Sequence, residues 1–107
     1  MSDVNRNERL AEYVKEKVSE FISRESNHSS LITVTRVDLD NSSKNGTILI
    51  SVLPEEKEEE VINFLRRRRS DVRDYLKSNI RSRMIPFIDF IIDKGEKNRQ
   101  LVDELLK

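Results

Sequence analysis

The chain has 107 residues, and its 20 lysines and arginines balance 20 aspartates and glutamates, so the formal net charge is zero. This length suits one domain with one modest core. The absence of cysteine excludes disulfide frameworks, thiolate metal sites and cysteine nucleophiles. No apolar run approaches the ~20 residues of a membrane span, and no apolar signal-like stretch follows the polar residues 1–7. We therefore expect a cytoplasmic protein with no membrane partner and a single domain over residues 1–107, with residues 1–7 and the last few residues disordered.

The first predicted element is a helix, because apolar residues near the start of the chain recur with helical spacing. This spacing predicts an amphipathic helix from residue 8 to about residue 23, with Asn7 as the N-cap. The β-branched stretch Leu31–Leu39 predicts the first strand. Its alternation of apolar and polar residues is imperfect, and a bulge near Thr35 or Arg36 would restore it.

A hairpin and a charged helix follow. Thr47–Leu53 predicts a second strand, and the polar loop 40–46 predicts an antiparallel connection to the first. We expect Pro54 to end this strand and to start a helix whose first turns contain Glu55–Glu60. The four consecutive arginines 66–69 would then sweep about 300° around the helix axis. A helix packed on a sheet cannot expose all four, so it must break there.

The last part of the chain predicts a helix, a strand and another helix. Ser70 and Asp71 are suitable N-cap residues for a helix that carries Val72, Tyr75, Leu76 and Ile80 and that residues 84–86 close. Phe87–Asp93 predicts the third strand, and residues 98–107 predict a short amphipathic helix. The predicted order is therefore α-β-β-α-α-β followed by a terminal helix.

Positive charge is concentrated in residues 62–83, which carry eight basic and two acidic side chains. Such a surplus on one surface attracts phosphates, whereas a solvated helix surface is the plain alternative. We predict that these side chains bind RNA. They are Arg66, Arg67, Arg68, Arg69, Arg73, Lys77, Arg81 and Arg83.

The sequence gives little support to an enzyme. The single histidine, His28, lies in a polar loop, and the glutamates of residues 55–60 suit a helix N-terminus better than a metal site. With two glycines in all, the chain has no glycine-rich phosphate loop. We expect no catalytic residue, metal, cofactor or small-molecule substrate. Most aromatic residues lie on apolar stripes and are needed for the core, and the best candidate for an exposed ring is Phe64. With so few rings available, the pattern favours recognition of folded RNA by backbone and shape over stacking of unpaired bases.

Segments spread along nearly the whole chain also carry a family pattern. They are Leu10–Glu12, Ile32–Val37, Ile48–Leu53, Val72-Arg73, Leu76, Arg83, Pro86, Phe90–Asp93 and Asp103–Leu106. In this order and spacing, they resemble the ribosome-binding factor A family. That family has a kink between its two central helices, usually Ala-x-Gly, and lacks the GxxG loop of RNA-binding KH domains. The corresponding kink residues here are Arg68, Arg69 and Ser70, which depart from the motif at both ends.

The resemblance implies an α+β domain of the type II KH class, with the order α-β-β-α-α-β. It further implies a monomer that binds the small ribosomal subunit transiently, assists late processing or folding of its rRNA, supports growth in the cold and catalyses no reaction. Two other functions stay open at this point. One is a protein-interaction module whose basic helix face meets an acidic partner, and the other is a generic domain for structured RNA.

Overall fold

A computed structural model of the chain describes residues 3–81 and 84–95. Within these ranges three helices pack on one face of a three-stranded sheet. The elements are α1 (Asp3–Glu25), β1 (Leu31–Leu39), β2 (Asn45–Leu53), a 3₁₀ turn (Glu55–Lys57), α2 (Glu58–Arg67), α3 (Arg69–Asn79) and β3 (Phe87–Ile92). The predicted α-β-β-α-α-β order is confirmed, whereas the predicted helix at 98–107 lies outside the described residues. No helix in the described part is long and apolar enough to cross a membrane.

The sheet has the strand order β1-β2-β3, so β2 is central and β1 and β3 are its two edges. β1 and β2 pair antiparallel as the predicted hairpin, and β3 pairs parallel with β2. The pairing of β1 with β2 shifts between Val34 and Arg36, which confirms the predicted bulge. The hydroxyl of Thr35 donates to the Asp93 carboxylate at 2.6 Å, and this bond ties the bulge to the residue after β3.

The core lies between the sheet and the three helices. Each element contributes the apolar residues that its periodicity predicts, because only one face of each is turned inward. β2 supplies Ile48 and Ile50, and β3 supplies Phe90, all with no measurable exposure. The helices supply the matching residues Val14, Val18, Leu65, Val72 and Leu76, which are equally buried.

The first helix begins earlier than the sequence predicts. α1 starts at Asp3, so the predicted start at residue 8 is wrong. Asn7 lies inside the helix rather than at its N-cap. Its amide donates to the Asp40 carbonyl at 3.4 Å and accepts from the hydroxyl of Ser43. Asn7 therefore joins α1 to the β1–β2 loop, because that loop offers its amide group partners that compete with a cap.

The second helix begins with a different turn from the one predicted. Pro54 ends β2 as expected, but Glu55–Lys57 form a 3₁₀ turn, in which the Lys57 N–H donates to the Pro54 carbonyl at 3.0 Å. The α-helix itself begins only at Glu58. A tight first turn of this kind is common at helix N-termini.

The predicted break between α2 and α3 is confirmed, and it is confined to Arg68. This residue has φ −102° and ψ 12°, and α3 begins at the next residue. Arg69 and Ser70 lie inside α3, so the prediction of Ser70 and Asp71 as an N-cap pair is wrong. The physical reason is that Asp71 pairs with Arg68, whose Nε lies 2.6 Å from the Asp71 carboxylate, instead of capping a backbone N–H.

Candidate nucleic-acid interface

Arg66 and Arg67 are neighbours in the chain but reach opposite edges of the sheet. Arg66 donates from Nε to the Asp89 carboxylate at 3.1 Å and from Nη2 to the Phe90 carbonyl at 2.9 Å, both on β3. Arg67 instead lines a groove of about 260 Å³ between α2, the α1–β1 loop and Ile32 of β1. Because β1 and β3 are the two outer strands, the arginine run does not form one continuous surface.

Arg68 is half-buried, and its guanidinium is engaged by partners within the protein. Its guanidinium carbon lies 5.2 Å from the ring centroid of Phe21 and 5.6 Å from that of Phe64. It also donates to the Glu25 carboxylate at 2.8 Å. The hydrogen bonds to Glu25 and Asp71 raise the pKa of Arg68 above its ordinary value. With 30% of its side chain exposed, Arg68 joins α1, α2 and α3 at the break.

Two further arginines of this region, Arg69 and Arg73, lie at β3. Arg69 donates from Nη1 to the Asp89 carboxylate at 3.3 Å, beside Arg66. Arg73 donates to the carbonyls of Ile85 at 3.0 Å and Pro86 at 3.3 Å, immediately before β3. Lys77, one helical turn beyond Arg73, is exposed on the same face of α3. We call Arg66, Arg69, Arg73 and Lys77 the β3-edge surface.

The acidic side chains of α3 face the other way. Asp71 and Asp74 line a groove between α3 and α1, together with Arg24 and Tyr75. α3 therefore carries its basic side chains toward β3 and its acidic ones toward α1. This sorting makes the β3-edge surface more positive than the composition of the helix suggests, since a partner senses charge within about 8 Å at physiological salt.

The eight predicted RNA-binding residues thus fall into different settings. Four form the β3-edge surface, and Arg68 is a structural connection. Three of the eight are exposed and make no side-chain ion pair or hydrogen bond with the described residues. They are Arg67, Arg81 and Lys77, of which Lys77 belongs to the β3-edge surface. Arg83 lies outside the described residues.

The sequence pointed to the wrong exposed ring. Phe64 is half-buried, packs against the core and lies beside Arg68. Phe87, at the start of β3, is 63% exposed, and the Arg73 guanidinium lies over it at 4.1 Å from the ring centroid. The period of two in β3 could have found it, because Ile88 and Phe90 are buried and Phe87 has the opposite parity.

The cationic side chains of the β3-edge surface are groups that can bind anions. Guanidinium and ammonium groups recognise phosphate oxygens by charge and hydrogen bonds. Within residues 3–81 and 84–95, no group of three or more histidines or carboxylates could hold a metal ion.

Comparison with protein families decides the class. The family model described as ribosome-binding factor A matches residues 6–106. The chain belongs to the ribosome-binding factor A family. Among its relatives, ribosome-binding factor A of Thermodesulfovibrio yellowstonii is 30% identical over 109 residues, which cover 100% of this chain and 92% of the relative. Ribosome-binding factor A of Natranaerobius thermophilus is 30% identical over 105 residues, covering 95% of this chain and 80% of the relative.

Solved structures of ribosome-binding factor A share the fold. The crystal structure of the factor from Thermus thermophilus matches with a TM-score of 0.75 and 21% identity, covering 84% of this chain and 98% of that chain. A homology model of the Thermus thermophilus factor, fitted into a cryo-EM map of its complex with 30S, matches with a TM-score of 0.68 and 21% identity, covering 78% and 90%. These matches confirm the predicted KH-like α+β fold.

Proposed function

We propose that this chain is a maturation factor that binds the small ribosomal subunit and assists late processing and folding of its rRNA. It acts by binding and catalyses no reaction. Membership of the ribosome-binding factor A family supports this proposal. The observation that carries it to particular residues is the β3-edge surface, where four cationic side chains from α2 and α3 meet along one edge of the sheet.

The mechanism we propose is selective binding of one rRNA conformation. A protein can shift an RNA equilibrium only by as much as its affinities for the two conformations differ. Tight binding to an immature conformation would keep the rRNA in that conformation while it is processed. Weaker binding to the mature conformation would then let the factor dissociate. Because misfolded RNA rearranges more slowly at low temperature, the need for the factor grows in the cold.

A genetic experiment tests this function in cells. Deleting the gene is expected to cause accumulation of small-subunit rRNA precursors, measured by primer extension, and the excess should increase at low growth temperature. The wild-type gene should restore processing, and a gene with Arg69→Ala and Lys77→Ala should restore it poorly. Normal precursor levels in the deletion strain at every temperature would contradict the proposal.

Asp89→Asn is expected to strengthen RNA binding about fivefold. The Asp89 carboxylate pairs with Arg66 and Arg69 and adds a negative charge to the β3-edge surface. Removing one exposed unit charge near a phosphate changes the interaction by about 1 kcal/mol, which corresponds to about fivefold in affinity. Asparagine keeps the acceptor for the Phe90 N–H, so the fold should persist. Titration of an rRNA fragment by fluorescence anisotropy measures the change, and weaker binding of the variant would contradict this account of the surface.

A further inference from the structure

We infer that Phe87 is a stacking site for one unpaired RNA base, next to the β3-edge surface. This inference rests on the proposed function, because it names the part of the RNA that the surface recognises. It starts from the exposure of this phenylalanine, which is 63%, while the alternate residues Ile88 and Phe90 are buried. An exposed aromatic ring beside cationic side chains is the combination on which single-strand binders stack a base.

Contacts with Arg73 and with the β1–β2 loop fix the position of the Phe87 ring. Arg73 lies over one face of Phe87, with its guanidinium carbon 4.1 Å from the ring centroid. That guanidinium is itself fixed by hydrogen bonds to the carbonyls of Ile85 and Pro86. Phe87 is also anchored by its backbone, since its N–H donates to the Lys44 carbonyl at 2.9 Å. With one face covered, the exposed area belongs to the rest of the ring, and little conformational freedom is lost when a base stacks on it.

Basic residues belong to both elements that adjoin this ring. The Phe87 N–H donates to the backbone carbonyl of Lys44, an exposed residue of the β1–β2 loop. The Arg73 guanidinium of α3 lies over the ring, and the exposed Lys77 is one helical turn further along α3. An RNA strand that stacks a base on the ring would therefore pass basic residues that can contact its phosphates. Single-strand binding sites combine these two features, a stacking ring and a basic track for the backbone.

This inference revises the expectation from the sequence. There, with Phe64 as the best candidate for an exposed ring, the pattern favoured recognition of folded RNA by shape and backbone. The structure adds one ring whose binding is sequence-tolerant, since every base has a π-face. The ligand class is therefore RNA in which an unpaired nucleotide adjoins a structured or single-stranded backbone.

Two matched RNA probes separate stacking from charge. One is a short oligoadenylate, and the other is an abasic strand of equal length and charge. The wild-type protein is expected to bind the oligoadenylate more tightly. Phe87→Leu should weaken binding to the oligoadenylate by about 5- to 100-fold, which corresponds to the loss of one stacked base, and should leave binding to the abasic strand unchanged. Phe87→Tyr keeps a ring and should bind both probes within about twofold of wild type.

The outcomes distinguish this inference from the function on which it rests. The stacking site would be overturned if Phe87→Leu bound the oligoadenylate as tightly as the wild-type protein does. The proposed function would still stand in that case, provided that both proteins bind RNA. Failure of the wild-type protein to bind either probe or a small-subunit rRNA fragment would overturn both. Thermal unfolding of Phe87→Leu controls for the fold. The variant should stay folded at the assay temperature, with a midpoint lowered only by the few degrees that the loss of the Arg73 contact accounts for.

Discussion

Replacing Arg69 and Lys77 together by alanine is expected to lower affinity for small-subunit rRNA about 30-fold at near-physiological salt. Each side chain contributes one positive charge to the β3-edge surface. An exposed charge in contact with a phosphate is worth about 1 kcal/mol, so the loss of two amounts to about 2 kcal/mol. The fold should persist, because Arg66 still neutralises Asp89.

The salt dependence of binding checks the cause of that loss. Removal of two phosphate contacts should reduce the slope of log affinity against log salt by about 1.4 to 1.8. Arg67→Ala is the matched control, since it removes an equally exposed charge that faces the groove at β1. Its affinity should stay within about twofold of wild type. If Arg67→Ala weakens binding as much as the double variant does, the β3-edge surface is not the RNA site.

Arg68→Ala is expected to lower the free energy of unfolding by about 2 kcal/mol. The guanidinium of Arg68 lies beside the rings of Phe21 and Phe64 and pairs with Glu25 and Asp71. Cation–π contacts and partly exposed ion pairs are each worth about 0.5–1 kcal/mol. These contacts all meet at Arg68, in the break between α2 and α3. Their loss therefore also weakens the packing of α1, α2 and α3 against one another.

Urea unfolding at neutral pH measures this effect. Arg24→Ala is a suitable control, because Arg24 also lies over a ring, that of Tyr75, at 5.6 Å, but is exposed and joins only α1 to α3. We expect it to lower the free energy of unfolding by only about 0.5 kcal/mol, the value of one exposed cation–π contact. RNA affinity of folded Arg68→Ala should keep the wild-type salt slope. A stability equal to that of Arg24→Ala would show that Arg68 is not the connection that holds the break.

Local patterns in the sequence were enough to predict most of the fold. The β-branched stretch of β1 and its faulty alternation predict both the strand and its bulge, because side-chain parity is a property of neighbouring residues. The arginine run predicts the helix break because four consecutive helical residues point in almost all directions around the axis. Asn7 and Ser70 were assigned as caps because their residue types favour that role, whereas the structure uses Asn7 in a contact with a distant loop and places Ser70 inside α3.

The candidate site was harder to predict, because its residues meet only through tertiary structure. Nothing in the sequence shows that β3 pairs parallel with β2 and becomes an edge of the sheet. Without that edge, Arg66 and Arg67 look equivalent, and the pairing of Arg66 with Asp89 is hidden. Phe87 could have been found from its parity against Phe90, but its contact with Arg73 depends on how α3 crosses the start of β3.

Selective binding can be measured by co-sedimentation of the purified protein with immature and mature small ribosomal subunits at near-physiological salt. We expect preferential retention on the immature particle, and reduced retention of the Arg69→Ala, Lys77→Ala variant but not of Arg67→Ala. Equal retention on both particles would contradict selective binding. Absence of retention on either, with free RNA also unbound, would contradict RNA recognition by this surface and would favour a protein partner.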